Sequence, residues 1–152
     1  MYTQLLALLE AIRIYGKDAH YGMRGFDYLP WHQYMDQIVD PIADYVDEIK
    51  ESIILARGER VPRGTEINAI AAAEYVPAAL PNDDNGAILR ALHSLISQTI
   101  RYIDEIAKTD PQFTQGNGDL LGRISSALGK HIGLLNMALY EIKDKEDALS
   151  HD

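Results

Sequence analysis

Two imidazoles, His20 and His32, and two carboxylates, Asp47 and Glu51, make up a nitrogen and oxygen donor set of the kind that iron and other first-row metals bind. Their spacing splits the set in half. If residues 30 to 57 form a helix, His32 and Asp47 lie about 22 Å apart along its axis at 1.5 Å per residue. One ion cannot touch both. The set closes when a second copy packs antiparallel and lays its Asp47 and Glu51 beside the first copy's His20 and His32, so the spacing predicts a homodimer.

The same helix carries a longer polar stripe. His32, Asp36, Asp40, Asp44, Asp47 and Glu51 recur at intervals of three and four, while Ile38, Ile42, Tyr45, Ile49 and Ile53 fall largely on other faces. A stripe of carboxylates alone reads most simply as a solvated helix face, and a single histidine such as His20 reads as packing or surface. Taken together, the four residues have the composition of a carboxylate and imidazole metal site, which a solvated face does not require. Asp36, one turn after His32, has the spacing of a further ligand or of a carboxylate that orients a metal-bound imidazole.

The elements that must position these groups read as helices. Leu5, Leu8, Leu9, Ile12 and Tyr15 recur at helical spacing over residues 2 to 22. A second helix is expected from Pro30 to Ala56, with Pro30 in its first turn, Gly58 as its cap and Pro41 as an interior kink. Thr65 is placed to N-cap a short helix over residues 66 to 73. A third long helix over residues 84 to 108 carries Ile88, Leu92, Leu95, Ile96, Thr99, Ile103 and Ile106, and Pro111 with Gly116-Asn117-Gly118 ends it. The fourth is expected to start at Asp119, to carry Leu121, Ile124, Leu128, Ile132, Leu135 and Leu139, and to fray over residues 143 to 152. The expected architecture is a single all-α domain, a ferritin-like antiparallel four-helix bundle with a short extra helix between helices two and three.

Composition narrows the function classes. The 152 residues include no cysteine, which excludes disulfides and thiolate ligation. The formal net charge of -9 draws cations and disfavours nucleic acid and anionic lipid. No basic n-region precedes Leu5 and no apolar run approaches a membrane span, so a soluble, cytoplasmic protein is expected.

The segment His20-Tyr21-Gly22-Met23-Arg24-Gly25-Phe26-Asp27-Tyr28-Leu29-Pro30-Trp31-His32, followed by Asp47 to Glu51, resembles the ferroxidase signature of the Dps miniferritins. The likeness extends through Gly58, Pro62 and Thr65 and through Lys130-His131-Ile132. Three positions depart from the family pattern. Tyr21 replaces a tryptophan, Ser52 stands where an arginine follows the glutamate, and Pro41 interrupts the helix between ligands.

The resemblance implies a ferroxidase site at a twofold interface, with His20 and His32 from one subunit and Asp47 and Glu51 from its neighbour. It implies that Fe(II) is oxidised by hydrogen peroxide or oxygen and stored as ferric mineral inside a hollow homo-oligomeric shell, a dodecamer, with zinc and manganese competing for the same ligands. It also places Asp110 and Asp119 at acidic threefold pores. Each has a simpler reading, Asp110 as the start of an Asp-Pro turn and Asp119 as a helix N-cap. Tyr21 and Trp31 are aromatics placed to intercept oxidising equivalents, although aromatics at helical spacing serve more often as core. His93, His131 and His151 have no ligand partner at metal-site spacing. Two other functions compete: a DNA-binding, nucleoid-protecting protein, disfavoured because no lysine-rich tail precedes helix one, and a non-catalytic metal-binding bundle.

Overall fold

The computed structural model describes residues 1–25 and 27–150; Phe26 of the signature and His151 lie outside them. Six α-helices follow in order, with no strand among the described residues: α1 (Tyr2–Gly22), α2 (Tyr28–Val39), α3 (Ile42–Glu51), α4 (Gly64–Ile70), α5 (Asn85–Thr109) and α6 (Gln115–Ser150). Two π-helical turns extend α3 and α4, over Ser52–Ala56 and Ala71–Tyr75. No helix among the described residues is long and apolar enough to cross a membrane.

The bundle consists of α1, the α2–α3 pair, α5 and α6. Contacts at the helix ends fix its directions. The backbone N–H of Arg24, just past α1, donates to Asn85 Oδ1 at the start of α5, while the Tyr102 hydroxyl late in α5 donates to the Met1 carbonyl. Helices α1 and α5 are therefore antiparallel. At one end of the α2–α3 pair Tyr34 meets His131, and at the other Ser52 meets Asn117, so α6 runs antiparallel to that pair. The segment containing α4 crosses between the two hairpins and packs on α1.

Burial follows the apolar pattern. Leu5, Leu8, Leu9, Ile12, Ile38, Ile42, Ile88, Leu92, Ile124 and Leu128 are all fully or almost fully buried, each worth roughly 1.5–3 kcal/mol against exposure. Leu6, Ala7 and Ala11 are buried too, so α1 is enclosed over most of its circumference in this stretch. Gly16 permits a close approach on α1, because a Cβ there would lie 2.5 Å from Val39 Cγ2. That approach sits one turn before His20.

Several boundaries differ from the sequence expectation, each for a local reason. Helix α2 starts at Tyr28, so Pro30 is its third residue, still among the first-turn positions whose N–H groups have no intrahelical partner. Across Asp40 and Pro41 the backbone stays right-handed helical, with φ/ψ of -58/-40 and -71/-14, and Asp40 N–H still bonds the Asp36 carbonyl. Pro41 thus divides the helix without turning it back. Gly58, at φ 65, ends the π turn as expected, its N–H donating to the Ile54 carbonyl.

Thr65 is not a cap, because α4 starts one residue earlier, at Gly64. Helix α6 begins at Gln115 rather than Asp119. Thr114 and Asn117 cap it reciprocally: Asn117 N–H donates to Thr114 Oγ1 at 3.1 Å and Thr114 N–H to Asn117 Oδ1 at 3.2 Å. This pairing overrides the two glycines read as breakers, and it takes the N-cap role away from Asp119. Helix α6 also stays helical through Ser150, where fraying was expected.

Candidate metal centre

His20 closes α1 and His32 lies one turn into α2, and the short link between those helices brings the two imidazoles face to face. Their ring centroids are 3.5 Å apart at an interplanar angle of 25°. His20 Nδ1 bonds the His32 carbonyl, and His32 Nδ1 bonds the His20 carbonyl at 2.8 Å. A carbonyl only accepts, so both Nδ1 atoms carry a proton, and in the neutral imidazole Nε2 then keeps its lone pair. The Tyr28 hydroxyl lies 3.2 Å from His32 Nδ1. His20 is buried and His32 half-buried, so the pair is held rather than free to turn.

Asp36 extends the arrangement. Its Oδ1 lies 3.4 Å from His20 Nδ1 and accepts from Lys17 Nζ at 2.9 Å. The lysine bond holds the Asp36 carboxyl below its ordinary range, and the same bond raises the Lys17 ammonium. Asp36 Oδ1 is thus shared between Lys17 and the His20 imidazole, the position of a carboxylate that orients a metal-binding histidine.

Asp47 and Glu51 project from exposed positions on α3. With right-handed helical backbone maintained through Pro41, Asp47 stands about 22 Å and Glu51 about 28 Å from His32 along the path at 1.5 Å per residue. Among the described residues, no group of three or more His, Asp or Glu within the chain is placed to hold a metal ion. The structure thus assembles the histidine half of the set and the carboxylate half at separate places.

The two expected pore residues separate sharply. Asp119 is exposed near the start of α6. Asp110 is 8 % exposed and receives Arg57 Nη1 on Oδ2 at 2.6 Å and Arg57 Nη2 on Oδ1 at 3.1 Å. It also accepts from the Tyr2 hydroxyl at 3.1 Å and from Gln112 N–H at 3.0 Å. Arg57 holds its carboxyl down at about 2. Burial, together with Asp110, pushes the Tyr2 phenol up to about 12. A carboxylate engaged on both oxygens is an internal clasp between α1, the end of the α3 segment and α5. Within the chain Asp110 is thus held by Arg57 and Tyr2, whereas the pore expected of it is a contact between copies. The Asp-Pro turn reading survives in part, since the Asp110 carbonyl accepts from Phe113 N–H.

Two histidines assigned no chemistry from spacing have polar partners. His93 Nε2 lies 2.7 Å from Asn136 Oδ1, linking α5 to α6. His131 Nδ1 lies 2.7 Å from the Tyr34 hydroxyl, linking α6 to α2. Burial lowers the His131 imidazole and raises the Tyr34 phenol to about 12. No sequence interval announces such a pair, since its members lie on different helices.

No protein-family profile matches the chain, and no curated protein matches it in sequence. Solved structures do match. The chain is similar to Dps from Listeria monocytogenes, with a TM-score of 0.68 at 19% identity over 90% of this chain and 89% of that one. A Dps protein from Deinococcus radiodurans gives 0.65 at 18% identity, over 88% and 79%. A point mutant of Listeria innocua Dps gives 0.61 at 22% identity, over 89% and 88%. The fold is therefore that of the Dps miniferritins.

Proposed function

We propose that this protein is a ferroxidase that oxidises Fe(II) at a site shared between two copies of the chain and stores the ferric product inside a closed homo-oligomeric shell, a dodecamer. The prepared His20–His32 pair carries this reading. Reciprocal carbonyl bonds leave both Nε2 lone pairs available, as imidazole ligation of iron requires. Asp47 and Glu51, exposed on α3, supply the anionic half from a second copy and favour the ferric state as it forms. Four protein donors leave positions on iron for the oxidant.

Iron here is substrate, and this chain's residues bind and orient it. Asp36, with Lys17 on it, steadies His20. Asp119, exposed near the start of α6, lines in this reading an acidic route between copies that draws Fe(II) inward. The net charge of -9 favours that traffic and gives nucleic acid no attraction. Zinc and manganese bind the same donors and act as inhibitors.

Stopped-flow absorbance after mixing the metal-free protein with Fe(II), with peroxide or oxygen as oxidant, tests this function. The expected result is ferric product forming faster than in protein-free buffer and staying in solution. Oxidation at the protein-free rate would overturn it.

A further inference from the structure

We infer that the groove between α2 and α6 is a binding site for an organic cation, a quaternary ammonium group carried on an apolar body. None of the four expected iron ligands lines it.

The groove holds about 630 Å³, within the roughly 300–1,000 Å³ that ligand pockets span. Trp31 and Tyr34 form its α2 side, three residues apart on one helix face. Their ring centroids are 5.6 Å apart and their planes stand at 80°, so they meet as two walls of a corner. Both are half-buried and pack against the core. The Tyr34 hydroxyl lies 2.7 Å from His131 Nδ1 on α6, which pins the phenol before any ligand arrives. Binding therefore loses little to side-chain ordering. Leu134 and Met137, on the α6 side, are 50% and 69% exposed, and a hydrocarbon body laid over them removes that apolar surface from water.

Charge selects the class of ligand. Glu141 is the only charged residue that lines the groove, the other polar lining being the neutral amides of Gln33 and Gln37 and the Tyr34 hydroxyl. Among the described residues Glu141 belongs to no ion pair, so its carboxylate is available to a ligand's positive charge. His131 adds no positive charge at neutral pH, because burial lowers its imidazole from an ordinary 6.5. An indole face attracts a cation within about 6 Å of its centroid, and more strongly as water is excluded. The corner itself has no spare acceptor, since the Tyr34 hydroxyl is engaged by His131 and Gln33, Gln37 and Glu141 are exposed at the rim. A primary ammonium would give up hydrogen bonds to water there without replacing them, whereas a quaternary one has none to lose.

Trp31 is the chain's only tryptophan, so its emission reports occupancy of the groove. The assembled protein is titrated with benzyltrimethylammonium and, separately, with benzyl alcohol, which keeps the ring and lacks the charge. Saturable quenching by the cation is expected, and none by the alcohol over the same range. Glu141→Gln should weaken the cation about fivefold, the scale of a partly screened charge contact, while Asp104→Asn, an exposed carboxylate late in α5, should leave it unchanged. Calorimetric titration reads Trp31→Leu, where the emission is gone, and a weakening of at least about fivefold is expected. Equal affinity for the alcohol would overturn the proposal by reducing it to general apolar contact. Equal losses in Glu141→Gln and Asp104→Asn would overturn it by reducing it to the attraction of an acidic protein for any cation. Unchanged emission throughout the titration would also overturn it, the groove then being closed to ligands in the assembly. Fe(II) oxidation is measured on the same samples, and its presence or absence bears on the ferroxidase reading alone.

Discussion

Replacing both His32 and Asp47 with alanine is expected to bring Fe(II) oxidation down to the protein-free rate, a loss of at least about 100-fold when set against the 10–100-fold cost of disturbing a mere supporting partner of a metal ligand. His32→Ala removes one of two imidazole donors from each shared site, and Asp47→Ala removes one of its two anions. The remaining His20 and Glu51 face each other as an incomplete pair. The variant should still fold, since His32 is half-buried at the surface end of α2 and Asp47 is exposed. Surface substitutions of this kind usually change stability by no more than about 0.5 kcal/mol. Stopped-flow rates with thermal melting as the control check the expectation, and native rates in a folded double variant would remove these residues from the site.

Asp110→Asn is expected to cost about 3 kcal/mol of folding stability at neutral pH, the range for removing one partner of a buried ion pair. The Arg57 guanidinium would keep its charge with its bidentate acceptor gone, and its side chain is only 10% exposed. The pH dependence follows from the lowered carboxyl. Asp110 sits at about 2 against an ordinary 3.8, which is worth roughly 2 kcal/mol at 1.36 kcal/mol per unit. A depressed folded-state value contributes stability in full above the unfolded value and loses it as pH falls toward about 2. The gap between native and Asp110→Asn protein, measured by denaturant unfolding, should therefore be widest near neutrality and narrow through that acid window. Asp119→Asn, at an exposed position, should stay within about 0.5 kcal/mol of native. Equal effects at the two positions would contradict the clasp.

These two aspartates show where the sequence was legible and where it was not. Helix periodicity located the long helices to within a residue or two at most ends, because their apolar faces are continuous, as in α5 from Ile88 to Ile106. Local turn chemistry was harder to read. The Gly116-Asn117-Gly118 run looks like a break, yet the reciprocal bonds of Thr114 and Asn117 start α6 through it. The π turn after Glu51 left no mark in composition, whereas Pro41 divides the helix as its sequence position suggested, α2 ending at Val39 and α3 starting at Ile42.

For the site, the family resemblance grouped His20 with His32, and the structure stacks their rings. The identity of what each polar group bonds to was not legible. Lys17 on Asp36, Arg57 on Asp110 and His131 on Tyr34 are contacts between helices, set by packing that no interval along one chain encodes. The arginine that the family resemblance would place after Glu51 is Ser52 here, and Asn117 donates to its hydroxyl at 3.2 Å.

The central claim is that one chain supplies imidazoles and another supplies carboxylates, and subunit mixing addresses it directly. A chain carrying His20→Ala and His32→Ala keeps its carboxylates, and a chain carrying Asp47→Ala and Glu51→Ala keeps its histidines; each assembled alone is expected to be inactive. Unfolding and reassembling them together in equal amounts should restore about one quarter of native Fe(II) oxidation, because half of randomly paired dimers are mixed and one of two sites in each is complete. A mixture as inactive as its components, despite verified mixed assembly, would contradict a shared site.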